Sequence, residues 1–392
     1  MPFSRRDFLI ASAALAIVPV TGSARAKRIS SIVPTLDRGD MEQLDALIDA
    51  AVAQGNTPGI AFSLWRDGEE IHTRTAGLAN LETATPVIGA SVFRIGSLTK
   101  QFAAAIVLKL VAAGQISLAD PARKFLPFLG KHEPFSVLEL LNHTAGVHDG
   151  DDEIGKPQTL TQVELAERIA AQSQFFDFSP GTAWLYSNAN YLLVGAIIEQ
   201  VTGKPLAEVA GSLLFAPLSL RDTAFDAGSD VVAARASGYT PTGSSERPFQ
   251  NAEYLDVTQA GAAGAMRSTA SDLCRWHHAL FHSRVLPAEF AAQMTMPGRL
   301  RNGELAGTHR FSENDKAMGD TQYGLGFMLD KATRDKSLIV SHHGGINGFA
   351  AYLATHVPSG LSYACLCNAD THPGLPFRDI RRKVFADILP AN

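Results

Sequence analysis

The sequence predicts an α+β fold, in which an antiparallel sheet is flanked by terminal helices and interrupted by an inserted helical domain. Strand-like runs joined by tight turns lie near both ends of the chain, with helical runs outside them, and helical periodicity dominates between them. We therefore expect an α/β domain with a split sheet at 27–108 and 262–392, and a mostly helical domain at 109–261. The functional site should lie in the crevice between the two domains.

The first predicted elements are a helix and a hairpin. From Asp40, apolar residues recur at helical spacing and stop at Gly55, so Asp40 is placed to cap an amphipathic helix. The runs 59–65 and 70–77 have the composition of strands, and Asp67-Gly68 between them is a strong signal for a tight turn. The folded chain should therefore begin as a helix followed by two antiparallel strands.

The last predicted elements are further strands and a closing helix, and we expect the strands of both ends to form one antiparallel sheet. The expected strands are 323–329, 337–342, 349–356 and 361–367, the expected last helix is 377–389, and helical runs at 161–171 and 191–201 belong to the inserted domain.

Residues 1–26 differ from the rest of the chain and have the features of an export signal. They contain a twin arginine, Arg5-Arg6, then an apolar run over 8–20, and then Ala24-Arg25-Ala26, which fits a cleavage site. A transmembrane anchor is the alternative, but about 20 apolar residues are needed to cross a bilayer and this run is shorter. We therefore predict a Tat signal peptide, a periplasmic or secreted mature protein, and no transmembrane anchor after cleavage.

Composition and charge exclude several classes of function. The chain of 392 residues is 46% hydrophobic and 19% charged, which is ordinary for a globular protein. Removing residues 1–26, which hold three of the 34 basic and one of the 39 acidic residues, leaves a net charge of −7. This mild acidity argues against nucleic acid or an anionic membrane surface as a partner. A small-molecule or peptide substrate is the expected partner.

Ser97 and Lys100 are the first candidate catalytic pair. They lie three residues apart at the start of a helix-like run, so both side chains should share one face of a helix. A serine hydroxyl is a weak nucleophile until a base takes its proton, and burial or the positive end of a helix keeps a lysine neutral enough to do so. By spacing alone, the pattern has an alternative explanation, a helix cap followed by a solvated lysine.

Tyr186 and Asn188 form the second candidate pair, directly before the helical run at 191–201. A phenol held near Ser97 and Lys100 can relay a proton to a leaving group, and an amide can hold a carbonyl or amide of the substrate. The alternative for Tyr186 is a half-buried packing residue with a hydrogen-bonded hydroxyl.

The third candidate is the segment His342-His343-Gly344-Gly345, which follows an apolar strand. Glycines there allow a ligand to lie against strand backbone, and His342 can donate a hydrogen bond to a substrate carbonyl or carboxylate. A zinc site on the two histidines is the rival, but neighbours in a strand point to opposite faces and no acidic residue is spaced to join them. We therefore expect neither a metal nor another cofactor, and we expect the acidic segment around His148-Asp149 to be a solvated loop.

These motifs, in the order Ser-x-x-Lys, Tyr-x-Asn and His-x-Gly, resemble those of the serine β-lactamase and penicillin-binding superfamily. The resemblance is strongest to the branch that holds class C β-lactamases, DD-peptidases, D-aminopeptidases and family VIII esterases, and it implies a β-lactamase/transpeptidase-like fold. Supporting stretches extend over nearly the whole chain after residue 26: 93–97, 140–146, 186–191, 217–220 and 267–273.

The resemblance also implies a role for each candidate residue. Ser97 would be the nucleophile, Lys100 its proton acceptor, Tyr186 a second proton shuttle and Asn188 a substrate contact. Backbone N–H groups of Ser97 and Gly345 would form the oxyanion hole. Class C β-lactamases, however, have Lys-Thr-Gly where this chain has His-His-Gly, and the loss of a permanent cation weakens recognition of a substrate carboxylate.

We therefore expect a serine hydrolase that forms an acyl-enzyme on Ser97, most like a D-alanyl-D-alanine carboxypeptidase or D-amino-acid peptidase. A carboxylesterase with weak or no β-lactamase activity is the first alternative. A non-catalytic peptidoglycan-binding protein is the alternative of another class, although binding alone needs no activated nucleophile. The Gly-x-Ser-x-Gly turn of an α/β-hydrolase does not occur in the sequence.

Overall fold

The computed structural model of the chain describes residues 37–150, 159–282, 284–333 and 336–389. The signal peptide predicted at 1–26 lies outside this part of the chain. Within these ranges, no helix combines the length and the apolar character that crossing a membrane requires.

An eight-stranded antiparallel sheet forms the centre of the fold. The strands are β1 (Gly59–Arg66), β2 (Glu69–Asn80), β3 (Thr85–Pro86), β4 (Phe93–Arg94), β5 (Ala224–Phe225), β6 (Tyr239–Pro241), β7 (Phe249–Asn251), β8 (Met266–Ser268), β9 (Gln322–Tyr323), β10 (Met328–Lys331), β11 (Leu338–Ile346), β12 (Phe349–His356) and β13 (Leu361–Cys367). The order in the large sheet is β3-β2-β1-β13-β12-β11-β10-β9, and β4-β8-β5 and β6-β7 form two small sheets. Because β1 pairs with β13, the sheet joins strands from both ends of the chain, and the predicted α+β class is confirmed.

Helices cover both faces of this sheet. The α-helices of the described residues, not all of which contact the sheet, are α1 (Arg38–Ala53), α2 (Thr99–Ala112), α3 (Val137–Leu141), α4 (Gln162–Ala171), α5 (Asn188–Thr202), α6 (Leu206–Ala210), α7 (Ala216–Leu218), α8 (Gly261–Gly264), α9 (Ala270–Phe281), α10 (Ala288–Met294) and α11 (Phe377–Arg382). Side chains of α1 and α11 share one core with the sheet, and those of α2 and α9 share the core on its other face. On β13, Tyr363 and Cys365 belong to the first core and Ala364 and Leu366 to the second, which explains why this strand is apolar throughout.

The hairpin predicted near the start of the chain is confirmed, and the cap of the first helix differs from the prediction. Asp67 and Gly68 have φ values of +52° and +86°, as a two-residue hairpin turn between twisted strands requires. Helix α1 begins before Asp40, because the carboxylate of Asp37 accepts a hydrogen bond from the N–H of Gly39 at 3.1 Å and caps the helix. Asp40 lies in the first turn instead.

The single strand predicted at 323–329 is wrong. The chain forms two short strands there, β9 and β10, which pair with each other around a glycine turn. Gly326 has a φ of +78°, and a side chain on it would lie 2.9 Å from the Cα of Gln101, so contact with α2 enforces the turn. The strand predicted at 337–342 continues to Ile346 as β11. Helices α3 to α7 lie within 109–261, and the domain boundaries drawn from the sequence stay a prediction.

Candidate active site

Ser97 lies in a short 3-10 turn, Gly96–Leu98, that leads directly into α2. Gly96 has a φ of +50°, and a Cβ added to it would lie 2.7 Å from the carbonyl oxygen of Gly345 and 2.8 Å from its nitrogen. The hydroxyl of Thr99 fixes the turn, because it donates to the Gly96 carbonyl at 2.7 Å and accepts from the N–H of Met266 at 3.1 Å. The turn therefore brings Ser97 next to the backbone of β11.

Lys100 is fully buried one helical turn after Ser97. Its Nζ lies 3.1 Å from Ser97 Oγ, and it donates to Asn188 Oδ1 and to the carbonyl oxygen of Ala263, both at 2.8 Å. Burial lowers the pKa of Lys100 to about 7, and the carboxylate of Asp149 opposes this effect by raising the pKa. About half of the molecules therefore carry a neutral amine at pH 7, whose lone pair can accept the Ser97 proton.

Tyr186 is half-buried, with the centre of its ring 4.8 Å from Lys100 Nζ. Burial raises the pKa of this phenol well above its ordinary value, while a hydrogen bond with Ser97 acts in the opposite direction. The phenol therefore stays protonated at neutral pH. In this state Tyr186 can pass a proton onward, but it does not hold the negative charge of a resident base.

Asn188 is the first residue of α5, and both ends of its amide are engaged. Its Oδ1 accepts from Lys100, and its Nδ2 donates to Asp149 Oδ2 at 3.1 Å. The other carboxylate oxygen of Asp149 accepts from the N–H of Ala189 at 2.8 Å and from the hydroxyl of Ser187 at 3.2 Å. Asp149 thus caps α5 from another segment of the chain and sets the orientation of the Asn188 amide.

The sequence predicts His148-Asp149 as part of a solvated loop, and Asp149 does lie exposed in a loop, but its contacts to Asn188 and Ala189 are not predicted. The sequence gives no signal for this contact, because Ser187 directly before α5 has the residue type of an ordinary N-cap, although in the structure its side chain does not cap the helix. An uncapped helix end needs a partner from elsewhere, but nothing in the sequence says which acidic residue supplies it.

Gly344 and Gly345 allow β11 to lie against the turn that holds Ser97. A Cβ added to Gly344 would lie 1.9 Å from the carbonyl oxygen of Ile95, so only glycine fits this position. Gly345 is exposed and its backbone nitrogen is next to Gly96. The N–H groups of Ser97 and Gly345 therefore belong to adjacent segments, as an oxyanion hole requires, and this role remains a prediction.

His342 and His343 point to opposite faces of β11, so they are not arranged to hold one metal ion. His343 is exposed, and its ring centre lies 4.5 Å from that of Tyr352. His342 is 1% exposed, and its ring centre lies 5.9 Å from that of Tyr186 on the active-site side.

Both ring nitrogens of His342 are bonded within the protein. Nδ1 donates to the carbonyl oxygen of His343 at 2.5 Å, so Nε2 is free to accept from the hydroxyl of Tyr323 at 3.0 Å. Burial, assisted by the charge of Lys100, lowers the pKa of His342 to about 3, and the ring is neutral at pH 7. A substrate contact by His342 stays a prediction.

The sequence-predicted residues thus meet around the Ser97 hydroxyl. A serine hydroxyl lies within hydrogen-bond distance of a buried lysine amine, a protonated phenol lies beside that amine, and backbone N–H groups adjoin the serine. This is the arrangement of a serine enzyme that transfers acyl groups.

Comparison with known proteins agrees with this geometry. Residues 44–387 match the model of the family described as Beta-lactamase, which covers most of the chain. The chain therefore belongs to the β-lactamase family of serine hydrolases.

Relatives within the family carry several activities in their names. The esterase EstB of Burkholderia gladioli is 32% identical over 207 residues, which are 47% of this chain and 51% of that protein. Penicillin-binding protein 4* of Bacillus subtilis is 25% identical over 77% of this chain and 66% of that protein, and the D-aminopeptidase of Gluconobacter oxydans is 25% identical over 83% and 58%. The chain thus spans about half to two thirds of the length of these three curated relatives.

Two solved structures match over nearly their whole length. A D-stereospecific amidohydrolase from Streptomyces sp. is 29% identical with a TM-score of 0.71, and the match covers 89% of this chain and 98% of that one. The D-amino acid amidase of Ochrobactrum anthropi SV3, in complex with D-phenylalanine, is 25% identical with a TM-score of 0.74, and 88% and 99% of the two chains are covered. The predicted β-lactamase/transpeptidase-like fold is thereby confirmed.

Proposed function

We propose that this protein hydrolyses amide bonds of small D-amino-acid derivatives through an acyl-enzyme on Ser97. The observation that carries the proposal is the 3.1 Å distance from Lys100 Nζ to Ser97 Oγ, at a position where burial holds the pKa of the lysine at about 7. The similarity to an amidohydrolase and an amidase that are named for D-configured substrates supports the choice of substrate class.

In the proposed acylation step, Ser97 Oγ attacks the substrate carbonyl carbon while its proton passes to the neutral amine of Lys100. The carbonyl oxygen becomes negatively charged and accepts hydrogen bonds from the N–H groups of Ser97 and Gly345. The carbon–nitrogen bond then breaks, and the proton on Lys100 passes through Tyr186 to the leaving amine, which restores the neutral lysine. In deacylation, Lys100 takes a proton from the attacking water and returns it to Ser97 Oγ as the ester carbon–oxygen bond breaks and the acid product leaves.

The third motif favours substrates with an uncharged leaving group. A D-alanyl-D-alanine carboxypeptidase, the activity expected from the sequence, binds a peptide by a C-terminal carboxylate. His342 is neutral, and both of its nitrogens are bonded within the protein, so it offers no fixed cation for such a group. Amides and N-terminal D-residues of short peptides do not need that cation.

A carboxylesterase is the second candidate, and the 32% identity to EstB over 207 residues favours it. An alkoxide or phenoxide leaves without the proton that an amine requires, so the same site would cleave esters more easily than amides. A non-catalytic peptidoglycan-binding protein is less well supported, because binding alone does not need a serine beside a lysine whose pKa is lowered to about 7.

The cellular location belongs to the same proposal. A twin arginine and a cleavage site within residues 1–26 support export by the Tat pathway. An exported protein would meet D-residues in peptides derived from peptidoglycan, and we propose those that present an amide or an N-terminal D-residue as its substrates.

Turnover of matched substrates tests the proposal. We would compare D-phenylalanine amide, its L-enantiomer, the p-nitrophenyl ester of the same acyl group and a peptide ending in D-Ala-D-Ala. We expect hydrolysis of the D-amide in preference to the L-amide, with Ser97→Ala inactive. Turnover of the ester alone would favour the esterase, and preference for the D-Ala-D-Ala peptide would contradict the inference from His342.

A further inference from the structure

His143 occupies an unusual position in the loop that follows α3. It is completely buried, and its φ of +63° lies in the left-handed region, which residues other than glycine seldom adopt. Left-handed backbone at a bulky residue persists only where its surroundings hold it in place, and such positions are enriched near functional sites. The contacts of His143 show what its surroundings are.

Three hydrogen bonds join His143 to the backbone and side chains around Tyr186. The carbonyl oxygen of His143 accepts from the N–H of Leu185 at 3.1 Å. Its Nδ1 accepts from the N–H of Ser187 at 3.3 Å and from the side-chain amide of Asn190 at 3.1 Å. His143 therefore binds the residue before Tyr186, the residue after it, and the first turn of the helix that carries Asn188.

The imidazole ring also contacts the Tyr186 ring directly. The centres of these two rings are 4.5 Å apart. The ring of Tyr323, whose hydroxyl donates to His342, makes an edge-to-face contact with the His143 ring, with the ring centres 4.7 Å apart. Because Nδ1 accepts two hydrogen bonds, the proton of the neutral ring is on Nε2. Burial, with the charge of Lys100, lowers the pKa of His143 well below its ordinary value, so the ring keeps this acceptor at neutral pH.

We propose that His143 is a positioning residue that fixes Tyr186 and Asn188 in the geometry needed for proton transfer at Ser97. The inference rests on the proposed function for its kinetic part, but the position of Tyr186 can be observed without any substrate. His143 itself touches neither the Ser97 hydroxyl nor the Lys100 amine by a hydrogen bond among those found in the described chain.

Two substitutions at His143 separate the effect of its hydrogen-bond acceptor, Nδ1, from the effect of its ring contact with Tyr186. Asparagine tolerates the left-handed region and presents an oxygen near the position of Nδ1, so His143→Asn keeps the hydrogen bonds and loses the ring. Glycine takes the same left-handed backbone conformation without strain, so His143→Gly removes both the hydrogen-bond acceptor and the ring while the loop can keep its backbone conformation. His356→Ala is the matched control, because His356 is also a buried histidine but lies at the far end of β12, about 23 Å from Phe349, which pairs with Ile346 next to Gly345.

We would measure the acylation rate per folded molecule with a p-nitrophenyl ester, the melting temperature, and a crystal structure of each variant. We expect His143→Gly to lower the acylation rate about 10²-fold with little change in KM, since a misplacement of about 1 Å has this effect. We expect His143→Asn to stay within about tenfold of the wild type and His356→Ala to lose stability only. The crystal structure of His143→Gly should show Tyr186 displaced.

Each outcome decides the proposal. The proposal is overturned if the His143→Gly crystal shows Tyr186 and Asn188 in their wild-type positions. An unchanged acylation rate in that variant overturns it as well. If none of the substrates acylates the wild-type protein, the proposed function fails. The position of Tyr186 in the variant crystals then still decides whether His143 positions it. If His143→Gly does not fold, Asn190→Ala, which removes one of the three hydrogen bonds, should give a smaller displacement of Tyr186 and a smaller loss of rate.

Discussion

The pH dependence of acylation follows directly from the environment of Lys100. A lysine with the ordinary pKa of 10.5 is neutral in only about one molecule in 3000 at pH 7, whereas Lys100, with a pKa of about 7, is neutral in about half. Burial therefore raises the population of the reactive base roughly 10³-fold at this pH. We expect kcat/KM for acylation to be constant above about pH 8 and to fall about tenfold per pH unit below pH 6.

Asp149→Asn provides the perturbation. The Asp149 carboxylate raises the pKa of Lys100, so its removal should lower that pKa further. Because the active form of Lys100 is neutral, a lower pKa moves the ascending limb of the profile to lower pH. The amide oxygen of asparagine can still accept a hydrogen bond from the N–H of Ala189, so the start of α5 should keep its cap, while the amide nitrogen cannot accept from Asn188 Nδ2 and that one hydrogen bond is lost.

The assay is release of p-nitrophenol under single-turnover conditions from pH 5 to 9, for the wild type, Asp149→Asn and His148→Gln. The last variant is the control, because His148 is the histidine next to Asp149 in the chain. A limb that moves to higher pH in Asp149→Asn, or one that disappears in His148→Gln, would refute the assignment of the base to Lys100.

Three further predictions concern the other parts of the site. Lys100→Ala should slow acylation by about 10²-fold or more in burst kinetics, the usual scale for the loss of a positioned base, and near-normal turnover would contradict the mechanism. His342→Lys should raise kcat/KM for a carboxylate-bearing peptide relative to an amide, and an unchanged ratio would mean that this side chain does not face the substrate. Gly344→Ala should destabilise the fold by about 1–3 kcal/mol in denaturant unfolding, because its Cβ would lie 1.9 Å from the Ile95 carbonyl oxygen; a stability equal to that of the wild type would contradict the close approach.

The parts of the fold that were predictable from sequence are those that depend on local patterns. The hairpin at Asp67-Gly68 could be predicted because the turn is decided by two adjacent residues that tolerate positive φ. The break between β9 and β10 could not, because it depends on contact between Gly326 and Gln101, more than 200 positions apart in the chain.

The same distinction applies to the site. Ser97 and Lys100 were recognisable because their spacing on a helix carries the chemistry. Asp149 and His143 were not recognised as contributors, since they act on a segment about 40 residues further along the chain through hydrogen bonds that leave no periodic trace.

The central claim is a covalent acyl-enzyme on Ser97, and intact mass spectrometry tests it most directly. The purified protein would be mixed briefly with a p-nitrophenyl ester and, separately, with a penicillin, followed by rapid acid quench and peptide mapping, with Ser97→Ala alongside. We expect the ester to add one acyl group on the peptide that contains Ser97, and we expect no addition in Ser97→Ala. An acyl group on another residue, or equal nitrophenol release by Ser97→Ala, would contradict the account.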